Sequence, residues 1–323
     1  MGRDYLLPLP APGADGPLLA GGWLRFDRML RLRRGTAPEV VPVDAIEPAR
    51  LAPFLAARPP VAGVTMRKPT LMGILNVTPD SFSDGGAHLS VEAACAQADR
   101  MAAAAILDLG GESTRPGAEE VPADEEARRV LPVLRALRPR TLSIDTRKAS
   151  VAAAALEEGA ALVNDVSALR FDPAMAPLVA STGAAVCLMH SESLPEGADR
   201  AGVALDVFDA LERAVNRAVG AGIDRARIVV DPGIGFAKTA EENLAILRRL
   251  GIFHGLGVPL LLGISRKGFI GKVSGETDPR RRMPGTLAVT LAAVAQGVQI
   301  HRVHDVAEVT QGLALWRAVN GMT

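Results

Sequence analysis

A (β/α)8 TIM barrel with a small N-terminal extension is the fold class that the sequence predicts, and three observations predict it. From Lys68 onward, eight apolar runs of strand length alternate with helical patterns. Eight such pairs in ~255 residues match the size of a (β/α)8 barrel. The first strand-to-helix turn carries no G-x-G-x-x-G, which counts against a doubly wound open sheet.

The elements follow in order. Residues 1–68 are rich in Pro and Gly and hold the only tyrosine, Tyr5, together with Trp23 and Phe26. Residues 23–32 alternate partly like a strand, 39–43 form a second short candidate, and Pro59-Pro60 reads as a joint. This part is expected to be an N-terminal extension or small appended subdomain, such as a hairpin packed on the main body. Residues 69–323 are expected to form the barrel. Its strands are predicted at 71–77, 105–110, 141–145, 161–165, 184–190, 228–232, 259–265 and 300–305. Helices are predicted at 91–104 behind a Ser90 cap, at 125–137 after Asp124, and after Asp172-Pro173. Further helices are predicted at 207–221, at 244–250 behind a Thr239-x-x-Glu242 capping box, at 286–296 and at 306–319.

Composition narrows the function. Hydrophobic residues make up 48% and aromatics only 3%, so the core is aliphatic. A formal net charge of zero offers no electrostatic case for nucleic acid or an anionic membrane. No apolar stretch reaches the ~18 residues of a membrane span. Nor does the N-terminus show the basic-then-apolar pattern of a secretory signal. Cys95 and Cys187 lie far apart in unlike contexts, as reduced packing residues of a cytoplasmic protein would.

In a barrel, the C-terminal strand ends converge on one mouth. Those ends bring Asn76, Asp108, Asp145, Asn164, His190, Asp231, Lys267, and Arg302 with His304. Turn propensity explains a few Asn and Asp there, but not a polar or charged residue at every end. Asp145, Asn164, Asp231 and Lys267 offer acceptors, an amide and a cation, which suits a flat, neutral heterocycle. Helix capping by Asp145 and turn initiation by Asp231-Pro232 are the plainer alternatives. Lys267 also admits a Schiff-base reading, although Ser265-Arg266-Lys267-Gly268 looks more like a helix opening.

His301-Arg302-Val303-His304 invites a metal reading, but in a strand residues three apart face opposite sides. Arg302 and His304 face the same way, and guanidinium beside imidazole suits phosphate oxygens. Asn76 and Asp84 supply hard oxygen ligands suited to Mg2+ on a substrate phosphate. The glycine-bounded polar run at 110–117 is either a surface loop or a lid over the reaction.

Taken together, the motifs closely resemble the dihydropteroate synthases of bacterial folate synthesis. The matching stretches are GILNVTPDSFSDGG at 73–86, DLGGESTRPGA at 108–118, SIDT at 143–146 and ND at 164–165. CLMH at 187–190, DPGIGFAK at 231–238, SRKGFIG at 265–271 and RVHD at 302–305 complete the ordered set. The resemblance implies an enzyme that joins 4-aminobenzoate to 6-hydroxymethyl-7,8-dihydropterin diphosphate, releasing 7,8-dihydropteroate and pyrophosphate. By that similarity the pterin lies on Asp145, Asn164, Asp231 and Lys267. Asn76, Arg302 and His304 hold the pyrophosphate, with Mg2+ on it and on Asn76 and Asp84. Phe82, Thr114, Arg115, Pro116 and Phe236 shape the aminobenzoate pocket, and Asp145, Lys267, Arg302 and His304 surround the reacting centre. A homodimer is implied as well. Gly268, Arg147 and Ser191-Glu192-Ser193 depart from the family pattern. Two other readings use the same barrel: a methyltetrahydrofolate-binding methyltransferase domain, or a non-catalytic pterin-binding module. Arg302, His304 and the STRPGA run weigh against the first, and Mg2+-dependent pyrophosphate release would exclude the second.

Overall fold

The computed structural model describes residues 3–11, 13–77, 87–112, 120–194 and 202–321. The chain opens with a three-stranded antiparallel sheet, β1 (Tyr5–Pro10), β2 (Phe26–Leu32) and β3 (Glu39–Pro42), followed by helix α1 (Pro48–Leu55). Strand β1 is absent from the sequence-based reading because Pro8 and Pro10 break its alternation. Phe26 and Met29 are completely buried here, each worth ~1.5–3 kcal/mol. Tyr5 turns instead to the main body, where its ring meets Phe208 edge-on at 5.6 Å and its hydroxyl donates to Asp209 at 2.8 Å.

Pro59-Pro60 is more than a joint. Val61 and Val64 bridge each other across a tight turn in which Ala62 and Gly63 have positive φ. This turn and Met66 pack against Met72, Ile106, Leu162, Val229, Leu261 and Ile300 inside the barrel. The turn therefore plugs the floor.

Eight parallel strands make the barrel: β4 (Thr70–Asn76), β5 (Ile106–Gly110), β6 (Leu142–Asp145), β7 (Leu162–Asp165), β8 (Ala185–Met189), β9 (Ile228–Asp231), β10 (Leu261–Gly263) and β11 (Ile300–Val303). They run in the order β10-β11-β4-β5-β6-β7-β8-β9. A parallel bridge between Val230 and Leu260 closes the ring. The outward side chains, such as Leu75, Leu109, Ile144 and Val163, meet the surrounding helices in one continuous core.

Those helices are α2 (Ala87–Arg100), α3 (Ala123–Ala136), α4 (Ala149–Glu157), α5 (Met175–Thr182), α6 (Val203–Gly220), α7 (Ala240–Leu247), α8 (Gly268–Ser274), α9 (Met283–Val294) and α10 (Val306–Val319). The capping box ahead of α7 is formed, with Glu242 N–H donating to Thr239 Oγ1 at 3.2 Å and Thr239 N–H to Glu242 Oε2 at 2.6 Å. Several expected starts are corrected. Helix α2 begins at Ala87, so Ser90 lies within it and is not its cap. Helix α3 begins at Ala123 behind Pro122, which leaves Asp124 in its first turn, paired with Arg128 at 2.7 Å. Asp172 does not cap α5 directly, since that helix starts at Met175. It accepts instead from Ala174 N–H and, at 2.8 Å, from Ala149 N–H at the start of α4.

Candidate active site

The polar strand-end residues divide into a buried interior set and a rim set. Asp145 and Asn164 are register partners on β6 and β7, so their side chains share the interior face. Arg302 of β11 reaches across to them: its Nε donates to Asp108 Oδ2 at 2.5 Å and its Nη2 to Asp145 Oδ2 at 2.6 Å. Asn164 Nδ2 also donates to Asp108 Oδ2, at 2.9 Å. One guanidinium, two carboxylates and one amide are thus joined inside the barrel. Asp145 Oδ1 is buried with no protein partner among the described residues, an acceptor available to a ligand.

Electrostatics follow from this burial. It lifts the Asp145 carboxyl to about 7, against the pull of the Arg302 charge. Asp231 is also raised by burial, with Lys267 opposing. Lys267 is pushed down to about 7 by burial, against the attraction of Asp231. Burial disfavours the Arg302 cation too, yet the Asp108 and Asp145 carboxylates outweigh that and raise it further. The site is a set of charges that hold one another.

The rim is built by the loop after β9. Asp231 Oδ1 accepts from Gly233 N–H at 2.7 Å, folding the chain back sharply. Gly233 has φ +70, and a Cβ there would fall 1.8 Å from the His190 carbonyl. Gly235, at φ +82, lets Lys267 pass where a Cβ would stand 2.8 Å from its Cδ. Lys238 ties the loop down, donating to the carbonyls of His190, Gly233 and Phe236 at 3.0, 2.9 and 3.1 Å. Lys267 Nζ lies 4.3 Å from the centroid of the Phe236 ring and donates to the Ile234 carbonyl.

Strand β10 ends at Gly263, and Lys267 sits beyond it at the N-cap of α8, the helix opening that Ser265-Arg266-Lys267-Gly268 suggested. Strand β11 ends at Val303, and His304 lies just past it, its Nδ1 2.9 Å from Ser265 Oγ. Arg302 turns its Nε and Nη2 inward to the Asp108 and Asp145 carboxylates. His301 does face away as parity requires: it is buried, with Nε2 3.0 Å from the Val298 carbonyl. His190 is buried and held neutral, lowered to about 3 by burial and by nearby Lys238. Asn76 is half-buried at the end of β4. Phe82, Asp84, Thr114, Arg115 and Pro116 lie outside the described residues.

Sequence reasoning placed Asp108 among the strand ends that form the site but gave it no role of its own. It lies within β5, and its role emerges only when β11, 194 residues later, returns beside β4. A second missed group supports the chain around the 113–119 run. Lys148 Nζ donates to Glu112 Oε2 at 2.8 Å and Glu126 Oε2 at 2.7 Å, all three being buried. Glu112 Oε1 accepts from Val121 N–H at 3.1 Å.

Comparison with known proteins identifies the family. Residues 72–304 match the family of pterin binding enzymes. Dihydropteroate synthase of Bacillus subtilis is 45% identical over 249 residues, 76% of this chain and 86% of that protein. The Escherichia coli K12 enzyme is 42% identical over 259 residues, covering 77% and 91%. A crystal structure of Xanthomonas albilineans dihydropteroate synthase with 4-aminobenzoic acid superposes with TM-score 0.76 at 44% identity, over 82% of this chain and 99% of that one. The fold and site define a pterin-binding (β/α)8 enzyme, and the chain belongs to that family. Within it, the chain stands among the dihydropteroate synthases, which are transferases.

Proposed function

We propose that this protein condenses 6-hydroxymethyl-7,8-dihydropterin diphosphate with 4-aminobenzoate to give 7,8-dihydropteroate and pyrophosphate. Residues 69–323 carry the reaction, and residues 1–68 serve as a supporting extension. The observation that carries the reading is the buried set of Asp145, Asn164 and Arg302 inside the barrel, with Asp231 and Lys267 at its rim. Asp145, Asn164 and Asp231 offer acceptors and an amide to the amino and ring N–H edge of the pterin. Lys267, poised about 7, donates to the oxo side or relays a proton there. As the C–O bond to the diphosphate breaks, positive charge grows on the pterin methylene, and the buried carboxylates stabilise it. Arg302, His304 and Asn76 line the way out for pyrophosphate. The amine nitrogen of 4-aminobenzoate then attacks carbon and loses its proton, with no covalent enzyme intermediate. Phe236 forms one wall for the aminobenzoate ring, with Phe82, Thr114, Arg115 and Pro116 proposed as the rest.

Asn76, a neutral hard-oxygen donor, suits a magnesium ion carried on the substrate diphosphate. Among the described residues no cluster of three His, Cys, Asp or Glu could hold a metal, whereas Asn76 offers a neutral hard oxygen at the mouth. With Asp84, Asn76 would hold Mg2+ on the diphosphate. When bound, the ion neutralises charge on the departing pyrophosphate. The protein is proposed to act as a cytoplasmic homodimer, which sedimentation tests. No helix among the described residues is long and apolar enough to cross a membrane.

Incubation of the pure protein with both substrates and Mg2+ tests the reaction. Stoichiometric dihydropteroate and pyrophosphate are expected. Pterin binding without pyrophosphate release would overturn the enzyme reading.

A further inference from the structure

We propose that Asp108 is a positioning residue of this site, whose single carboxylate sets the orientation of both Arg302 and Asn164. The inference rests on the reaction proposed above. Asp108 is fully buried inside the barrel on β5. Its Oδ2 accepts twice, from Arg302 Nε at 2.5 Å and from Asn164 Nδ2 at 2.9 Å. An ionised carboxylate only accepts, so Asn164 must turn its amide nitrogen toward Asp108. That choice leaves Asn164 Oδ1 and one amide hydrogen for the edge of a bound heterocycle.

Arg302 is fixed by the same oxygen in a different sense. A guanidinium is a rigid planar fork. With Nε tied to Asp108 and Nη2 tied to Asp145 at 2.6 Å, its plane is pinned at two points. The Nη1 edge is the one not spent on carboxylates, and it is left for the departing diphosphate. One carboxylate would suffice to neutralise Arg302, and a second buried carboxylate adds a desolvation cost. Orientation accounts for the second one. Asp108 thereby links the group that reads the pterin to the group that meets the leaving group, without touching either itself.

A double-mutant cycle tests this, using steady-state kinetics on Asp108→Ala, Arg302→Ala and the combined variant. Asp108→Ala should lower kcat by about thirtyfold, and the double variant should be no slower than Arg302→Ala alone. Asp108→Asn, which keeps the shape and an acceptor oxygen, should recover most of the loss. Calorimetry with a pterin lacking the diphosphate should show weaker binding to Asp108→Ala, because Asn164 is no longer oriented. Losses that multiply in the double variant would overturn the inference, and so would a folded Asp108→Ala with wild-type kcat and pterin affinity. Should Asp108→Ala not fold, Asp108→Ser, which retains one buried oxygen, takes its place in the cycle with the same two outcomes. The wild type runs in parallel. Failure of the wild type to release pyrophosphate would sink the proposed reaction, whereas an active wild type with a multiplicative cycle would sink only the role of Asp108.

Discussion

A guanidinium held between two buried carboxylates is placed where chemistry and stability could both depend on it, and substitution separates the two. Arg302→Ala should raise the reaction barrier by ~2–4 kcal/mol, read as kcat under saturating substrates. Arg302 also pulls the Asp145 carboxyl down, so its removal should push that group above about 7. The acidic limb of pterin binding should then move to higher pH in the variant, which calorimetry across pH 5–9 can follow. Neighbouring His301 points outward to the Val298 carbonyl, so His301→Ala should leave kcat nearly unchanged and cost ~1–3 kcal/mol of stability. Equal loss of kcat in the two variants would contradict the strand register. Asp231→Ala should weaken pterin binding by ~1.5–3 kcal/mol, and the same calorimetry checks it. Asp145, Asn164 and Arg302 were legible in the sequence because each ends or nearly ends an apolar run. Asp108 was named among the strand ends, but its partnership was not legible, because Asn164 and Arg302 lie 56 and 194 residues away.

Elements were legible where a side chain writes their boundary and illegible where tertiary packing does. Thr239 and Glu242 announce α7 by a reciprocal bond, and the structure contains it. Strand β10 was read as seven residues at 259–265 but spans only Leu261–Gly263, with Leu260 bridging Val230 just before it, since apolar Leu260 and Ile264 flank it on either side. The anchor at Lys148 was invisible for another reason: its partners come from the exit of β5 and the first turns of α3. Gly111 sits tight against this helix, where a Cβ would fall 2.9 Å from Val130 and 3.0 Å from the Glu126 carbonyl. Lys148→Met would leave fully buried Glu126 without a cation and Glu112 with only Arg147, whose Nη2 is 3.4 Å from Oε1. It should cost ~3–5 kcal/mol in urea unfolding, because a broken buried ion pair strands its partners. A loss below 1 kcal/mol, the scale of an exposed pair, would mean the triad is effectively solvated.

At the scale of the whole molecule, the N-terminal sheet and the barrel share a core. Tyr5, Leu7 and Leu32 belong to the same apolar cluster as the barrel's outer strands and helices. Arg58 donates to the His254 carbonyl at 2.9 Å. Deleting residues 1–60 should therefore lower the thermal midpoint while leaving kcat within about tenfold of the full chain. A stable truncation with activity lost a hundredfold would place the extension in the catalytic machinery. Acid should weaken the whole fold. Burial lowers His190 and His254 to about 3 and His301 to about 4, so all three are neutral when folded near pH 6. The unfolded chain binds more protons at these rings, and stability falls as pH drops from about 6.5 toward 4. Asp145, raised to about 7, opposes this, as do Asp231 and Asp165, which burial also raises. Urea midpoints between pH 4 and 8 check the sign. The floor plug of Val61, Val64 and Met66 has its own bearing on how the enzyme is used. A barrel stopped at one end is a cul-de-sac, so whatever goes deepest must arrive first and every departing molecule must leave by the entrance. Turnover is then expected to follow a queue, with the pterin diphosphate ahead of the amine, and product-inhibition kinetics checks the order.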